Sequence, residues 1–154
     1  RLLAWILALG AVLACHRLAR HLLEPVPAAA AAFLFAASPL ALQYARFMVT
    51  EMPHALWTTV ALLGAVRLLG DKRPGVAFAA GAATALAVAS KYLGGLAGLA
   101  VAWAWAVRGR DGVAPRWSGP RAAAQGALWI ALGFGAGLLV GMPDLVANHA
   151  SYLA

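Results

Sequence analysis

Residues 51–95, EMPHALWTTVALLGAVRLLGDKRPGVAFAAGAATALAVASKYLGG, decide the fold. Two apolar runs, roughly 53–69 and 75–91, flank one polar break that holds Arg67, Asp71, Lys72 and Arg73. A helix needs about 20 mostly apolar residues, or about 17 at the least, to cross a hydrocarbon core of about 30 Å. Both runs meet the lower figure, and Pro74-Gly75 supplies a turn and a helix start after the basic break. The stretch reads as two spanning helices joined by a basic hairpin, with Glu51 and Lys91 at their far ends.

The same rule, applied outward, gives about six spans over residues 2–15, 26–43, 53–69, 75–91, 93–107 and 122–142. The fold class is all-α, a polytopic transmembrane helix bundle, with residues 1–154 forming part of a single transmembrane domain. Composition agrees: 64% of the residues are hydrophobic and 11% charged, too little polar surface to cover a water-soluble globule of 154 residues. Ser38-Pro39 falls late in the second run and should kink or end that helix, because proline lacks a backbone donor and crowds the preceding turn.

Charge orients the bundle. Arg17, Arg20, Arg67, Lys72, Arg73, Arg108, Arg110, Arg116 and Arg121 are nine of the twelve Lys and Arg residues, and all fall in three alternate breaks. Short loops rich in Lys and Arg stay cytoplasmic, which places residues 16–25, 70–75 and 108–121 inside. Arg1, Arg46 and Lys91 are then outside, on a rim shared with Glu51, His54, Asp144 and His149. The net charge of +7 suggests no nucleic acid, since the cations come one loop at a time without aromatic interleaving. Cys15, the single cysteine, permits no internal disulfide.

Arg1 and the following LLAWILALGAVLAC do not read as a secretory signal, because His16, Arg17, Arg20 and His21 follow in place of a small-residue cleavage site. With no initiator Met, the chain is expected to be a piece of a longer protein. Gly133, Gly137 and Gly141 recur at spacing four and should form a helix-contact face. Their GFGAG run lacks the preceding strand and the following acidic residue of a nucleotide-binding motif.

Candidate chemistry concentrates at residues 43–54. In a continuous helix, Tyr44, Phe47, Glu51 and His54 would share a face, with Arg46 about one position away. Glu51 could then act as a base or ligate a divalent cation, while the plainer alternative is an interfacial ion pair with Arg46. Lys91, beside Gly94-Gly95, offers a point charge for a phosphate, and snorkelling at a helix end is its alternative. Tyr92 suits either a substrate contact or an interfacial aromatic belt. Asp144 and His149 could approach one another, though solvated loop residues explain them as well.

Ser38-Pro39, Tyr44-Ala45-Arg46, Glu51, Arg67, the run from Gly81 to Ala89-Ser90-Lys91-Tyr92, and Gly141-Met142-Pro143-Asp144 together resemble polytopic GT-C glycosyltransferases. The pattern is similar to the branch of protein O-mannosyltransferases and lipid A aminoarabinose transferases. The resemblance covers nearly the whole chain and implies transfer of a sugar from a polyprenyl-phosphate donor to a protein, lipid or glycan acceptor. That activity would belong to a multi-pass protein of the cell membrane and face the extracytoplasmic side.

The resemblance makes Glu51 the second acidic position, associated with the metal or the donor phosphate, and from its own chemistry Glu51 is also the candidate catalytic residue. It places Arg46 and Lys91 on the donor phosphate, and Tyr44, His54 and Tyr92 beside them in the sequence are the further candidate substrate contacts. A divalent metal is the one cofactor it suggests. The family's first-loop catalytic aspartate has no counterpart here, so this piece alone is expected to be inactive. The competing function is a transporter or permease segment with an outer-facing charged path, which would favour broken helices near the midplane and a two-part repeat.

Overall fold

The computed structural model describes residues 2–46, 50–71, 73–107 and 120–144, with the backbone alone at Ala45, Arg46, Pro120 and Ala122. Among these residues seven α-helices follow in order: α1 (Leu2–Leu22), α2 (Pro25–Ala37), α3 (Pro39–Arg46), α4 (Glu51–Gly70), α5 (Pro74–Ser90), α6 (Gly95–Val107) and α7 (Pro120–Gly141). A 3-10 turn at Tyr92–Gly94 joins α5 to α6. No strand occurs among the described residues.

Local chemistry sets these boundaries. Pro25 and Pro74 open α2 and α5, where a missing backbone donor costs nothing. Ser38, immediately before Pro39, is driven to φ −60° and ψ 128°. The expected single run at 26–43 is therefore two helices. The first helix continues beyond the expected end at residue 15, carrying His16, Arg17 and Arg20 on its last turns instead of in a loop. Cationic side chains suit a helix C-terminus and can reach water from it.

The three helices Leu2–Leu22, Glu51–Gly70 and Ala123–Gly141 are long and apolar enough to cross a membrane. Pro25–Ala37, Pro74–Ser90 and Tyr92–Val107 are apolar but shorter. The bundle surface suits lipid: Phe33 is 70% exposed, Leu99 67% and Trp103 68%. In water such a surface would be an association hazard.

Small residues build the interior. One cluster joins Ala65 and Leu68 of α4, Ala77 and Ala80 of α5, and Val101 and Ala104 of α6, while a second joins Ala61, Ala83 and Ala97 of the same helices. Among the described residues, helices α5 and α7 make the most extensive contact of the bundle. A Cβ on Gly81 would strike the backbone of Ile130, one on Gly133 the backbone of Phe78, and one on Gly137 the carbonyl of Ala82. Gly133, Gly137 and Gly141 thus form the expected contact face, since backbones this close leave no room for a side chain.

These contacts also give direction. Partners rise together along α5 and α7, so the two helices run parallel. Along α1 and α4 the partners also rise together, with Gly10 beside Leu56 and His21 beside Arg67. Helix α5 is antiparallel to α4, because Glu51 meets Lys91, His54 meets Ala87 and Gly64 meets Ala80. One rim therefore gathers Glu51, His54 and Lys91, and the opposite rim gathers Arg20, His21, Arg67 and Arg73.

Candidate active site

Glu51 is the first residue of α4, following Thr50. An anion there faces free backbone N–H groups and the positive end of the helix. Pro53 falls in the same first turn, where proline is tolerated. The expected continuous helix through Tyr44 and His54 is not formed: α3 ends at Arg46 and α4 starts at Glu51. A proline ring within such a helix would collide with the carbonyl four residues earlier. Glu51 and His54 do share α4, whereas Tyr44 belongs to α3.

Lys91 was expected as the last residue of a helix ending at 91 and stands just past that end, capping α5 in extended conformation with φ −162° and ψ 129°. Its N–H donates to the Ala87 carbonyl at 3.0 Å, and its own carbonyl accepts from Gly94 at 2.8 Å. Gly94 is required at this bend, because a Cβ would overlap the Ala87 carbonyl. The reversal thus locks the Lys91 backbone and lets its ammonium reach α4.

The Lys91 ammonium donates to Glu51 Oε1 at 3.2 Å, across 40 residues of sequence. Thr50 Oγ1 donates to Oε2 at 3.5 Å, so both carboxylate oxygens have a donor. Neither charge is sealed off: the Lys91 side chain is 40% exposed and the Glu51 side chain 31%. One turn deeper, His54 Nδ1 lies 3.5 Å from the Ala87 carbonyl oxygen. In the tautomer that donates there, Nε2 remains available.

The structure brings together three of the expected site residues: Glu51, His54 and Lys91. Tyr44 is half-buried on α3, and Tyr92 is 80% exposed. The Arg46 side chain and Phe47 lie outside the described residues, as does His149, while Asp144 is exposed. Among the described residues no group of three His, Cys, Asp or Glu side chains could hold a metal ion. Glu51 and His54 alone do not make a cation cage.

Sequence reading did not single out Thr50, the Ala87 carbonyl or Thr58. Thr58 Oγ1 is buried one turn below His54 with no hydrogen-bond partner among the described residues. Its place four residues after His54 and seven after Glu51 was the available sign. Beside this rim, an apolar groove of about 480 Å³ runs between α5, α6 and α7. Thr84, Val88, Gly95, Val101, Ile130 and Phe134 contribute to its lining, and Gly95 lies just beyond the Lys91 bend.

A helical bundle with a lipid-facing surface and three helices long and apolar enough to cross a bilayer defines a polytopic membrane protein, here with a cation–carboxylate pair at one rim. Residues 1–134 match the family described as dolichyl-phosphate-mannose-protein mannosyltransferase, and the chain belongs to that family. It is thus a membrane glycosyltransferase chain. No curated protein and no solved structure matches it.

Proposed function

We propose that this chain forms the donor-phosphate end of an enzyme that moves a sugar from a polyprenyl-phosphate donor to an acceptor hydroxyl on the extracytoplasmic side of the cell membrane. One observation carries the reading: the Lys91 ammonium and the Glu51 carboxylate meet at 3.2 Å on the rim away from the arginines. A lipid-linked phosphate sits at that depth. The family description, with its dolichyl-phosphate donor and protein acceptor, supports both the donor class and a protein as acceptor.

As the bond between the sugar's anomeric carbon and the donor phosphate breaks, the electron pair goes to the phosphate oxygen. A cation already fixed there stabilises that developing charge. Lys91 has this role, with Arg46 as its companion. The acceptor oxygen bonds to the anomeric carbon and loses its proton to a carboxylate, for which Glu51 is the candidate within this chain. Tyr44, His54 and Tyr92 complete the substrate contacts. A divalent cation fits the proposal only with the donor phosphate supplying most of the oxygens and Glu51 one more. The groove starting at Gly95 gives the isoprenoid an apolar path beside the Lys91 bend.

The test is Lys91→Ala in the full-length enzyme, reconstituted in vesicles with a labelled polyprenyl-phosphate sugar. Turnover should fall about 100-fold or more, the scale of losing one transition-state charge contact, with insertion unchanged. Turnover equal to that of the unaltered enzyme would remove Lys91 from the site.

A further inference from the structure

We propose that the arginine rim holds a single anionic phospholipid, with its phosphodiester on Arg67 and the first methylenes of one acyl chain in the cleft between α4 and α5. The site is on the opposite side of the bundle from the sugar-transfer chemistry and stands independently of it.

The cleft encloses about 200 Å³ and is lined by Val60, Leu63, Gly64, Val76 and Ala79, with Arg67 at its polar end. From Val60 to Arg67 the helix rises about 10 Å, enough to follow the upper part of an acyl chain. Two glycines shape the furrow, Gly64 by letting α4 and α5 close beneath it and Gly75 by leaving its mouth clear. A Cβ on Gly64 would press on Ala80, whereas Gly75 has nothing within 4 Å of where its Cβ would be.

Arg67 is exposed, and its Nε donates to His21 Nε2 at 3.5 Å. Its two terminal nitrogens make no hydrogen bond among the described residues, leaving the flat end of the guanidinium for a phosphate. Acidic neighbours do not neutralise it. Asp71 instead accepts from the Arg73 backbone N–H at 3.0 Å, with the Arg73 Nε at 3.8 Å. Arg17 and Arg20 add exposed positive charge on α1. A cation serving topology alone needs no apolar furrow under its head, but a lipid needs both. Charge complementarity selects an anionic headgroup over a zwitterionic one, since basic pockets between membrane helices hold such headgroups.

Native mass spectrometry of the full chain, exchanged into mixed micelles with equal phosphatidylglycerol and phosphatidylcholine of matched acyl chains, tests this directly. One phosphatidylglycerol should be retained, with a preference of about fivefold or more, the factor one cation contributes near an anionic lipid. Arg67→Gln should bring the ratio close to unity, and Arg67→Lys should retain part of the preference if the glutamine variant does not fold. Ala79→Phe, which fills the furrow without changing charge, should lower retention of both lipids. Arg121→Gln, on the same rim but away from the cleft, should change nothing. Equal losses in the Arg67 and Arg121 variants would reduce the effect to diffuse rim charge and overturn the site. Full competition by soluble glycerol phosphate would likewise overturn it, by showing that the cleft plays no part.

Discussion

The two rims use similar residues to opposite effect. On the arginine rim the cations are exposed, and the one close acid–base contact among the described residues is the loose Arg73–Asp71 pair at 3.8 Å. On the other rim, Lys91 is aimed by a locked reversal at a carboxylate fixed on the first turn of α4, at 3.2 Å. Away from the Arg67 cleft, cations spread over helix ends can be exchanged with little consequence, because water and counterions screen each one. A cation whose backbone and counter-charge are both fixed is preorganised for something that arrives there. The rims therefore differ in how firmly their charge is held: exposed and loosely paired on one, fixed against a counter-charge on the other.

Sidedness offers the largest, all-or-none way to break this contrast. With Cys15 replaced by Ala, single cysteines at positions 51 and 91 should react with an impermeant maleimide from one side of sealed vesicles. Cysteines at 73 and 121 should react only from the other. Labelling of 51 and 73 from the same side would dissolve the two-rim description.

Next in size is the seam that holds both rims in register. Gly133→Leu forces a side chain into the Phe78 backbone, where nothing can yield without separating α5 from α7. Folded protein should fall severely, by more than about 3 kcal/mol, at the upper end of overpacking costs. Gly135→Leu, at a position with nothing within 4 Å, should be tolerated. Thermal unfolding in detergent distinguishes the two, and equal behaviour would disprove the seam.

Much of this architecture is visible in the sequence. Proline positions foretell the starts of α2 and α5 and the break at Ser38, because the restriction they impose is local. The spacing of Gly133, Gly137 and Gly141 foretells a contact face for the same reason. The extension of α1 to Leu22 is hidden, since Arg17 and Arg20 look like loop residues to any reading that equates charge with a break. Glu51 and Lys91 are recognisable as candidates, but their contact is not. It depends on the antiparallel register of α4 and α5 and on the Gly94 bend, neither of which local periodicity encodes. Thr58 looks in the sequence like Thr59 beside it, and only packing shows its hydroxyl without a partner among the described residues.

A charge exchange sharpens the comparison at the site itself. Lys91→Glu combined with Glu51→Lys keeps an opposite-charge pair at the rim while putting the carboxylate where the donor phosphate should meet a cation. If the pair only ties α4 to α5, the double variant should recover the losses of either single change. If Lys91 receives phosphate, yield and thermal stability should recover while sugar transfer stays at least about tenfold below the unaltered enzyme, since the developing charge now meets an anion. Paired measurements of thermal unfolding and donor turnover decide between these outcomes.

The smallest effect concerns Thr58. A hydroxyl buried without a partner costs about 1–3 kcal/mol relative to a satisfied one. Thr59, Thr84 and Ser90 avoid that cost by donating to carbonyls four residues earlier, at 2.7, 2.8 and 2.8 Å. Thr58→Val keeps the shape and removes the orphan, so stability should rise by about 1 kcal/mol. A hydroxyl retained despite its cost, one turn below His54, would be expected to act on the site above it. The Thr58→Val protein should then be more stable but slower in sugar transfer, while the same substitution at Thr59, whose hydroxyl is satisfied by the Ala55 carbonyl, should lose stability modestly and leave transfer unchanged. If Thr58→Val were stabilised with undiminished transfer, the working rim would end at His54.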